Sequence, residues 1–299
     1  MLAVVVVYRQ WQSAEALVGQ LLSDPLVARV VVVNNGGDIT PPWVQDPRVG
    51  LVERPDNPGY AGGVNAGYAW LASAGAAVDE HDVLLLTHDV VLQSGCLLRL
   101  AEAASADTCG MVAPILLRKT APAVVWSAGG RLALAQPIHL RETAAEVPYP
   151  VEWVDGAAIL LPARTARRLL PMFEGYWLYF EDVDLSTVCR RLGYAVLVAP
   201  AAKALQEPSG LLDVRRLGRN KVLFARRHRS LAVLGLVLAR QILRAVAEVV
   251  CAGPHVAASR LLGLVDGLRA PAGDAGRQTP SAQPARRPVG RGELPCREH

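Results

Sequence analysis

The chain of 299 residues carries 31 lysine and arginine residues against 27 aspartate and glutamate residues, and 52% of its residues are hydrophobic. Such a composition suffices for one large α/β domain with an appendage or for two small domains, and it excludes a globally disordered chain. The formal net charge of +4 is small and no nucleic-acid-binding motif is visible, so no nucleic-acid partner is expected.

Apolar, β-branched runs alternate with helical patterns in the first third of the chain. Strands are predicted at 2–7, 29–33, 49–53 and 83–86, and helices at 13–22, with Ser13 as N-cap, and at 61–73. This alternation predicts a mostly parallel central sheet with helices on both faces, whose ligands bind beyond the carboxyl ends of the strands. Tyr8, Asn34 and the Thr87-His88-Asp89 segment follow such ends, so we expect them around one crevice.

The middle of the chain continues the α/β pattern less regularly. Helices are predicted at 95–106, 165–170 and 181–192, strands at 111–117, 124–134 and 194–198, a polar connector at 140–149, and a strand that runs into a turn at 152–162. The helix that begins at residue 181 has an acidic first turn and basic residues late, which suits the helix dipole.

The last third is basic and then apolar. A basic helix is predicted at 212–228. The apolar stretch 231–250 is interrupted from its middle onward by Arg240, Gln241, Arg244 and Glu248, which disfavours a transmembrane helix. Two interpretations stay open for 231–250: a helix packed on the main domain, or an amphipathic segment resting on a membrane. The composition from residue 270 onward predicts a disordered tail.

A glycine-rich segment at 57–67 precedes the second predicted helix. Gly59, Gly62 and Gly63 allow a close backbone approach, and the helix that follows offers free N–H groups to a phosphate or a sugar hydroxyl. The spacing matches neither a Walker A loop nor the dinucleotide-binding GxGxxG. The alternative is a glycine-rich turn before a helix.

Two acidic segments are candidates for chemistry. Asp89 directly follows a buried strand and is a candidate ligand for Mg²⁺ or Mn²⁺, with His88 as a second ligand or turned away; the alternative for Asp89 is a helix cap. Glu181, Asp182 and Asp184 follow an aromatic run at 175–180. Clustered carboxylates beside aromatic rings favour a general base, because proximity and burial raise a carboxyl pKa; the alternative is a set of acids placed for the helix dipole.

Taken in chain order, these motifs resemble the family 2 glycosyltransferases of the GT-A fold, and in particular their rhamnosyltransferase-like branch. The resemblance covers residues 1 to about 227. It rests on a valine-rich first strand ending at Tyr8, then Val33-Asn34-Asn35, Asn57-Pro58-Gly59 with Gly62-Gly63-Val64-Asn65, Thr87-His88-Asp89, Gly156, and Glu181-Asp182-Val183-Asp184-Leu185 with Gly193-Tyr194.

The resemblance implies an inverting, single-displacement transfer from a nucleoside-diphosphate sugar to an acceptor hydroxyl. Asp182 would be the general base, with Glu181 and Asp184 as supporting acids, and Asp89 would hold the metal. The remaining implied site residues surround the donor and the acceptor: Tyr8 and Asn34 at the base, Asn57, Gly62, Gly63 and Asn65 at the ribose and diphosphate, Arg219 and Asn220 at the diphosphate, Asp155 and Gly156 at the donor sugar, and Tyr176 and Trp177 in the sugar or acceptor pocket.

The sequence departs from the family's pattern at two positions. Thr87 stands where the family has the first Asp of its metal-binding Asp-x-Asp, and Gln206 stands where the family tends to place a His. Gln206 could coordinate a metal weakly or hydrogen-bond the diphosphate. Two other classes therefore stay open: a sugar nucleotidyltransferase, although the first strand is not followed by the expected glycine-rich loop, and a non-catalytic nucleotide-sugar-binding relative.

The same resemblance gives the expected organisation and context. We expect a GT-A catalytic domain at 1–210, with a nucleotide-binding half at 1–110 and an acceptor-binding half at 111–210, then a helical segment at 211–269 and the tail at 270–299. The branch resembled implies a dTDP-deoxysugar such as rhamnose as the donor, with UDP- and GDP-sugars left open. The acceptor is interpreted as a cell-surface glycan, a lipid-linked intermediate or a secondary metabolite. Scattered cysteines and the lack of a predicted signal peptide favour the cytoplasm, with the inner membrane face and a homodimer left open.

Overall fold

The N-terminal part of the chain alternates strands and helices, in a computed structural model that describes residues 1–36, 45–207 and 213–273. The elements are β1 (Leu2–Val7), α1 (Trp11–Ser23), β2 (Arg29–Asn34), β3 (Val49–Glu53), α2 (Gly59–Ser73) and β4 (Val83–Thr87). β1 pairs in parallel with β2 and with β4, and β2 pairs in parallel with β3. β1, β2 and β4 are runs of valine and leucine buried on both faces, as a parallel sheet covered by helices requires.

The sheet continues with strands of both directions. The elements are β5 (Val91–Leu92), α3 (Cys96–Ala104), β6 (Cys109–Arg118), β7 (Val125–Ser127), β8 (Gly130–Ala133), β9 (Gln136–His139), β10 (Tyr149–Val151), β11 (Ala158–Leu161), α4 (Ala163–Leu169), a 3₁₀ turn (Glu174–Tyr176), α5 (Glu181–Arg191) and β12 (Ala195–Gln206). The main path of the sheet is β10-β12-β6-β11-β4-β1-β2-β3. β11 is antiparallel to both of its neighbours, β4 and β6, so its first residue lies beside the carboxyl end of β4.

Three helices follow the sheet: α6 (Val214–His228), α7 (Leu231–Cys251) and α8 (Pro254–Arg269). α6 and α8 cross in near backbone contact. A Cβ on Gly263 would stand 2.2 Å from the Arg215 carbonyl oxygen, and a Cβ on Gly267 would stand 2.5 Å from the Arg219 carbonyl oxygen. Only glycine permits an approach this close, so α8 is fixed on α6 by two positions one helical turn apart.

The strands predicted in the first third of the chain are confirmed to within one residue at each end. Four other boundaries are wrong. α1 begins at Trp11 with Gln10 as its N-cap, so Ser13 lies inside the helix. The strand predicted at 124–134 is broken at Gly129, whose φ of 79° ends β7, and β8 pairs with β9 in a separate sheet. In the segment 152–162 the turn precedes β11 rather than following it, and β12 runs eight residues beyond the predicted strand.

The predicted division into a catalytic domain, a helical segment and a tail stays a prediction. Residues 274–299, which make up most of the predicted tail, lie outside the described residues. Among the helices in the described ranges, none combines the length and the hydropathy needed to cross a bilayer.

Candidate active site

The carboxyl ends of β1 and β2 place Tyr8 and Asn34 side by side, as expected. Asn34 is buried; its side-chain amide donates to a Glu53 carboxylate oxygen at 2.7 Å, and its Oδ1 accepts from the Gly36 N–H at 3.1 Å. Tyr8 is 43% exposed, and Gly36 lies close against its ring. An exposed aromatic ring beside a buried, hydrogen-bonded amide forms a surface against which a planar base could stack.

The start of α2 is bound to the segment that precedes α5. The Tyr60 N–H donates to the Trp177 carbonyl at 3.0 Å, and the Trp177 indole N–H donates to the Asn57 carbonyl at 2.8 Å. Gly59, with a φ of 78°, lies so close that a Cβ there would stand 1.8 Å from the Trp177 oxygen. The glycine at 59 therefore fixes the helix start against Trp177.

The other predicted residues of the α2 segment make packing contacts. A Cβ on Gly63 would stand 2.8 Å from a Val6 methyl group, so this glycine sets the distance between α2 and β1. Gly62 lies against Pro58 in the same way. The Asn65 amide donates to the Met172 carbonyl and to a Glu174 oxygen, both at 2.8 Å, and accepts from the Met172 N–H at 2.6 Å. Both amide protons of Asn65 are thus used inside the protein.

Asp89 lies in a cluster with the two residues at which the sequence departs from the family's pattern. The Thr87 hydroxyl donates to Asp89 Oδ1 at 2.6 Å, and the Gln206 amide nitrogen lies 3.4 Å and 3.3 Å from the two Asp89 oxygens. His88 faces the other way: its Nδ1 lies 3.3 Å from the Val6 carbonyl oxygen, and burial lowers its pKa. Among the described residues, no group of three or more His, Cys, Asp or Glu side chains could hold a metal ion.

The Asp182 carboxylate is held by the turn that precedes β11. Its Oδ2 accepts from the Gly156 N–H at 3.0 Å, and its Oδ1 accepts from the Val183 N–H at 2.8 Å. The Tyr60 hydroxyl donates to the Gly156 carbonyl at 2.8 Å. The turn at Gly156 therefore joins the start of α2 to the start of α5, and it fixes the direction of the Asp182 carboxylate.

Burial dominates the acidity of the two residues that begin α5. Burial and then the Asp155 charge raise the pKa of Asp182 to about 7. Burial and then the Asp182 charge raise the pKa of Glu181 to about 8. The Glu181 Oε2 is buried and has no hydrogen-bond partner within the described part of the chain. Two adjoining carboxyl groups thus titrate near neutral pH, which is where a general base works best.

The site also contains His139, a residue that the sequence did not single out and that contacts Asp155. Asp155 Oδ2 lies 3.3 Å from His139 Nε2, and Asp155 Oδ1 accepts from the Ala157 N–H at 3.1 Å. The His139 ring packs edge-on against Trp153, with 4.7 Å between ring centroids. No motif surrounds His139 in the sequence, and only the pairing of β8 with β9 places it here.

The Asp184 side chain, on α5, and the Tyr176 side chain are both buried in the core, where Asp184 contacts α6 rather than the turn that binds Asp182. Asp184 Oδ1 accepts from the Tyr176 hydroxyl at 2.8 Å, from Arg227 Nε at 3.0 Å and from His228 Nε2. Burial alone would raise the pKa of Asp184, but the His228 hydrogen bond and the His228 and Arg227 charges outweigh burial and lower it. Burial lowers the pKa of His228, so Arg227 is the charged partner of the carboxylate at neutral pH. This network ties α5 to α6.

Arg219 and Asn220 bind backbone carbonyls of the aromatic segment. Arg219 donates to the Gly175 carbonyl at 2.8 Å, and the Asn220 amide donates to the carbonyls of Leu178 at 2.8 Å and Tyr179 at 2.9 Å. Backbone in this segment is unusual, because Trp177, Tyr179 and Phe180 all have positive φ. These two side chains of α6 therefore support the strained loop that leads into Glu181.

Comparison with known proteins shows the fold. No protein-family model and no curated protein matches the sequence. The chain is similar to the crystal structure of GalNAc-T7 with UDP, GalNAc and Mn²⁺, with a TM-score of 0.56 and 12% identity over 75% of this chain and 47% of that one. It is also similar to S. aureus TarS 1-349, with a TM-score of 0.51 and 12% identity over 80% of this chain and 69% of that one. A longer TarS structure matches with a TM-score of 0.51 and 15% identity, over 80% of this chain and 42% of that one.

These neighbours are glycosyltransferases of GT-A type, and the chain has their mixed α/β fold with a mostly parallel sheet. The fold class expected from the sequence is confirmed. The chain spans about half the length of GalNAc-T7 and less than half of the longer TarS structure. At these identities the likeness extends to the fold, and the rhamnosyltransferase-like branch does not follow from it.

Proposed function

We propose that the protein transfers a sugar from a nucleoside-diphosphate sugar to an acceptor hydroxyl, with inversion at the anomeric carbon. One observation supports this above the others. At the carboxyl edge of a GT-A sheet, a carboxylate oriented by two backbone N–H groups, Asp182, has a pKa raised to about 7. With that pKa, about half of the Asp182 carboxyl groups are deprotonated at pH 7, and the carboxylate is basic enough to accept a hydroxyl proton.

In the proposed step, Asp182 accepts the proton of the acceptor hydroxyl. The acceptor oxygen forms a bond to the anomeric carbon while the bond from that carbon to the diphosphate oxygen breaks, and the nucleoside diphosphate leaves with the electron pair. Glu181 lies beside Asp182 with a buried, unpartnered Oε2. We assign it to hydrogen bonding with a sugar or acceptor hydroxyl, because its raised pKa keeps it protonated at neutral pH, where it can donate.

The donor is proposed to lie along the carboxyl ends of β1, β2 and β4. Tyr8 and Asn34 would border the base, the start of α2 with Asn57 the ribose and diphosphate, and the turn at Asp155 and Gly156 the sugar. Trp177 would line the sugar or acceptor pocket. Its indole N–H donates to the Asn57 carbonyl, which holds the ring beside the start of α2.

A divalent cation, Mg²⁺ or Mn²⁺, is proposed to accompany the diphosphate, since Mn²⁺ is present in the GalNAc-T7 structure. Asp89 fits this group as a single protein ligand, because Mg²⁺ in phosphate sites is held by as few as one carboxylate together with the substrate's phosphates. When bound, the cation would neutralise charge on the leaving diphosphate. Thr87 and Gln206 hold the Asp89 carboxylate in place through their hydrogen bonds.

Five of the sequence-predicted site residues are proposed to act by positioning. Asn65, Tyr176, Asp184, Arg219 and Asn220 use their polar groups inside the protein, where they fix the aromatic segment and the start of α5. Gly62 and Gly63 set the packing of α2. His88 is proposed to support β1 rather than to bind metal.

The finer identity rests on the resemblance of the sequence motifs. From it we propose a dTDP-deoxysugar such as rhamnose as the donor, in a rhamnosyltransferase-like enzyme of family 2. The proposed acceptor hydroxyl belongs to a cell-surface glycan, a lipid-linked intermediate or a secondary metabolite, and the proposed location is the cytoplasm, including the inner face of the membrane.

The test is donor turnover by the full chain across dTDP-, UDP- and GDP-sugars, comparing the wild type with Asp182→Asn. Loss of a general base lowers the rate by about 10²–10⁴-fold, so the variant is expected to retain at most a few per cent of activity. Asp107→Asn, an exposed carboxylate in a distant turn, is the matched control and should be unchanged. Unchanged turnover in Asp182→Asn would refute the base. Formation of a nucleotide sugar from a nucleoside triphosphate and a sugar phosphate would show a nucleotidyltransferase instead.

A further inference from the structure

The helices α7 and α8 carry most of the large apolar side chains that the protein exposes. Of eighteen such exposed side chains in the described residues, eleven lie on these two helices. The most exposed are on α7: Leu231, Leu243, Val246 and Val250. We call the exposed apolar side chains of the two helices the α7–α8 surface. A single exposed leucine needs no explanation, but a concentration of them marks a surface that contacts something else.

Packing within the chain does not account for these side chains. α7 buries Val237, Gln241 and Ala245, which recur every fourth residue and so form one narrow stripe. Arg260 of α8 reaches into that stripe and binds Gln241 and Glu248 of α7, which fixes the two helices to each other. The remaining circumference of α7 faces outward, and it is apolar over about half of the helix surface.

Three exposed arginines, Arg240, Arg244 and Arg269, border this apolar surface. Residues 213–273 contain eleven arginine and lysine residues and three acidic ones, a formal charge of +8 in a chain whose total is +4. Arg240 lies one helical turn from Leu236 and Leu243, and Arg244 lies one turn from Ala247, so both stand at one edge of the α7–α8 surface. Arg244 is 59% exposed, with its Nε 3.3 Å from a Glu248 carboxylate oxygen. Arg269 is exposed at the end of α8. Apolar side chains are thus bordered by cations that can reach past them.

We propose that the α7–α8 surface docks on the interface of an anionic lipid bilayer. A helix with an apolar face and arginines along its border lies in the plane of the interface, with the apolar face buried about 5–10 Å deep. The arginine stems cover apolar surface while their guanidinium groups reach the lipid phosphates. A second copy of the chain is a poorer occupant, since self-association through this surface would bring the exposed arginines of two copies together. This docking does not depend on the proposed sugar transfer.

The experiment is co-sedimentation of the full chain with phosphatidylcholine vesicles that contain or lack phosphatidylglycerol. The test variant is the double substitution Leu243→Glu, Val250→Glu, whose side chains are 71% and 88% exposed, so the fold does not depend on them. The matched control, Leu98→Glu, Val147→Glu, adds the same two charges at exposed positions elsewhere, 48% and 69% exposed. Thermal melts of both variants verify folding.

We expect the wild type and the control to bind the anionic vesicles, and the test variant to bind them about tenfold more weakly or worse. Binding should fall between about 0.1 M and about 1 M NaCl, because screening removes the attraction of the arginines to the lipid phosphates. Equal binding by the test variant and the control would overturn the proposal. So would a dimer in sedimentation velocity that the test variant abolishes, together with no vesicle binding. Asp182→Asn should bind vesicles like the wild type, which separates this result from a failure of the proposed activity.

Discussion

Asp182 and Asp184 are two residues apart on one helix and have opposite acidities. Side chains at i and i+2 leave a helix in different directions. Asp182 points to the turn at Gly156, where burial and Asp155 raise its pKa, whereas Asp184 points to α6, where the His228 hydrogen bond and the Arg227 charge overcome burial and lower its pKa. The acidic motif therefore divides into one carboxyl group with a raised pKa and one carboxylate held in a buried ion pair.

The pKa of Asp182 predicts how activity depends on pH. A general base must be deprotonated, so kcat/KM should rise with pH and level off above about pH 7. Below that pH the slope should approach about tenfold per unit, because each unit removes nine-tenths of the remaining carboxylate. Initial rates measured from about pH 5 to about pH 9 check this. A profile that is already level at pH 5 would mean that a group with an ordinary carboxyl pKa, or no carboxyl group, accepts the proton.

The raised pKa of Glu181 predicts that this residue destabilises the protein at high pH. Its pKa is higher in the folded chain than in the unfolded one, so folding stability falls as pH rises from the ordinary value of 4.5 toward about 8. Glu181→Gln removes the buried charge and should raise stability by up to about 4 kcal/mol at pH 8 and little at pH 4. Urea melts at the two pH values measure the difference. A stabilisation that is equal at both pH values would show that the cause is packing rather than charge.

Two polar residues of the motifs, Asn65 and Arg219, make hydrogen bonds inside the protein. Asn65 and Arg219 stand at positions that the resemblance links to the diphosphate, yet their side chains bind the protein's own backbone around Met172 and Gly175. Sequence spacing shows that a residue begins a helix or follows a strand. It does not show which carbonyl a later loop brings within reach, because that depends on contacts more than forty residues apart.

At the scale of elements, the bounds of a strand can be predicted where the strand is an unbroken apolar run. β1 and β2 are unbroken valine runs, and their bounds follow from the sequence alone. The sequence predicts a strand at 194–198, but β12 spans Ala195–Gln206. It continues to Gln206 because Lys203 to Gln206 pair with β6, after an irregularity in register. Pairing with a distant strand decided that boundary.

The close crossing of α6 and α8 predicts a matched pair of glycine substitutions. Gly263→Ala would place a methyl group 2.2 Å from the Arg215 carbonyl oxygen, so the helices must separate, at a cost of about 2 kcal/mol or more. Gly235→Ala in α7 meets nothing within 4 Å and should stabilise the chain by about 0.5–1 kcal/mol, because alanine favours a helix over glycine. Chemical denaturation of both variants tests the pair. Two substitutions with the same effect would contradict the crossing.

At the scale of the whole molecule, the site depends on one antiparallel strand in a mostly parallel sheet. β11 runs opposite to β4, and the Thr87 N–H donates to the Ala157 carbonyl at 3.0 Å. The turn at Asp155 and Gly156 therefore lies at the same edge as Asp89, although 66 residues separate Asp155 from Asp89. The sequence predicts a turn after the strand in 152–162, whereas the turn precedes β11, because a short apolar run does not show in which direction the strand is paired.

The effect of Mn²⁺ on nucleoside diphosphate binding tests whether Asp89 holds a cation. A nucleoside diphosphate that binds only the folded protein stabilises it by mass action, by about 2.7 kcal/mol at a hundred times its Kd. We expect dTDP or UDP to raise Tm, Mn²⁺ to increase the shift, and Asp89→Asn to lose the Mn²⁺-dependent part while keeping the rest. A thermal-shift series with Mn²⁺ or EDTA measures this. The same increase from Mn²⁺ in Asp89→Asn as in the wild type would remove Asp89 from the metal site.

The contact between Gly59 and the Trp177 carbonyl has a consequence for redesign. A Cβ at residue 59 and the Trp177 oxygen cannot both occupy the space that the structure gives to the oxygen alone. The glycine-rich segment at 57–67 and the aromatic segment at 175–180 therefore depend on each other for their packing, although 118 residues separate Gly59 from Trp177. A chimera built to change the nucleotide would have to transplant both segments from the same parent, and a recombination library with a crossover between them should return active clones mainly where the parents share this pair.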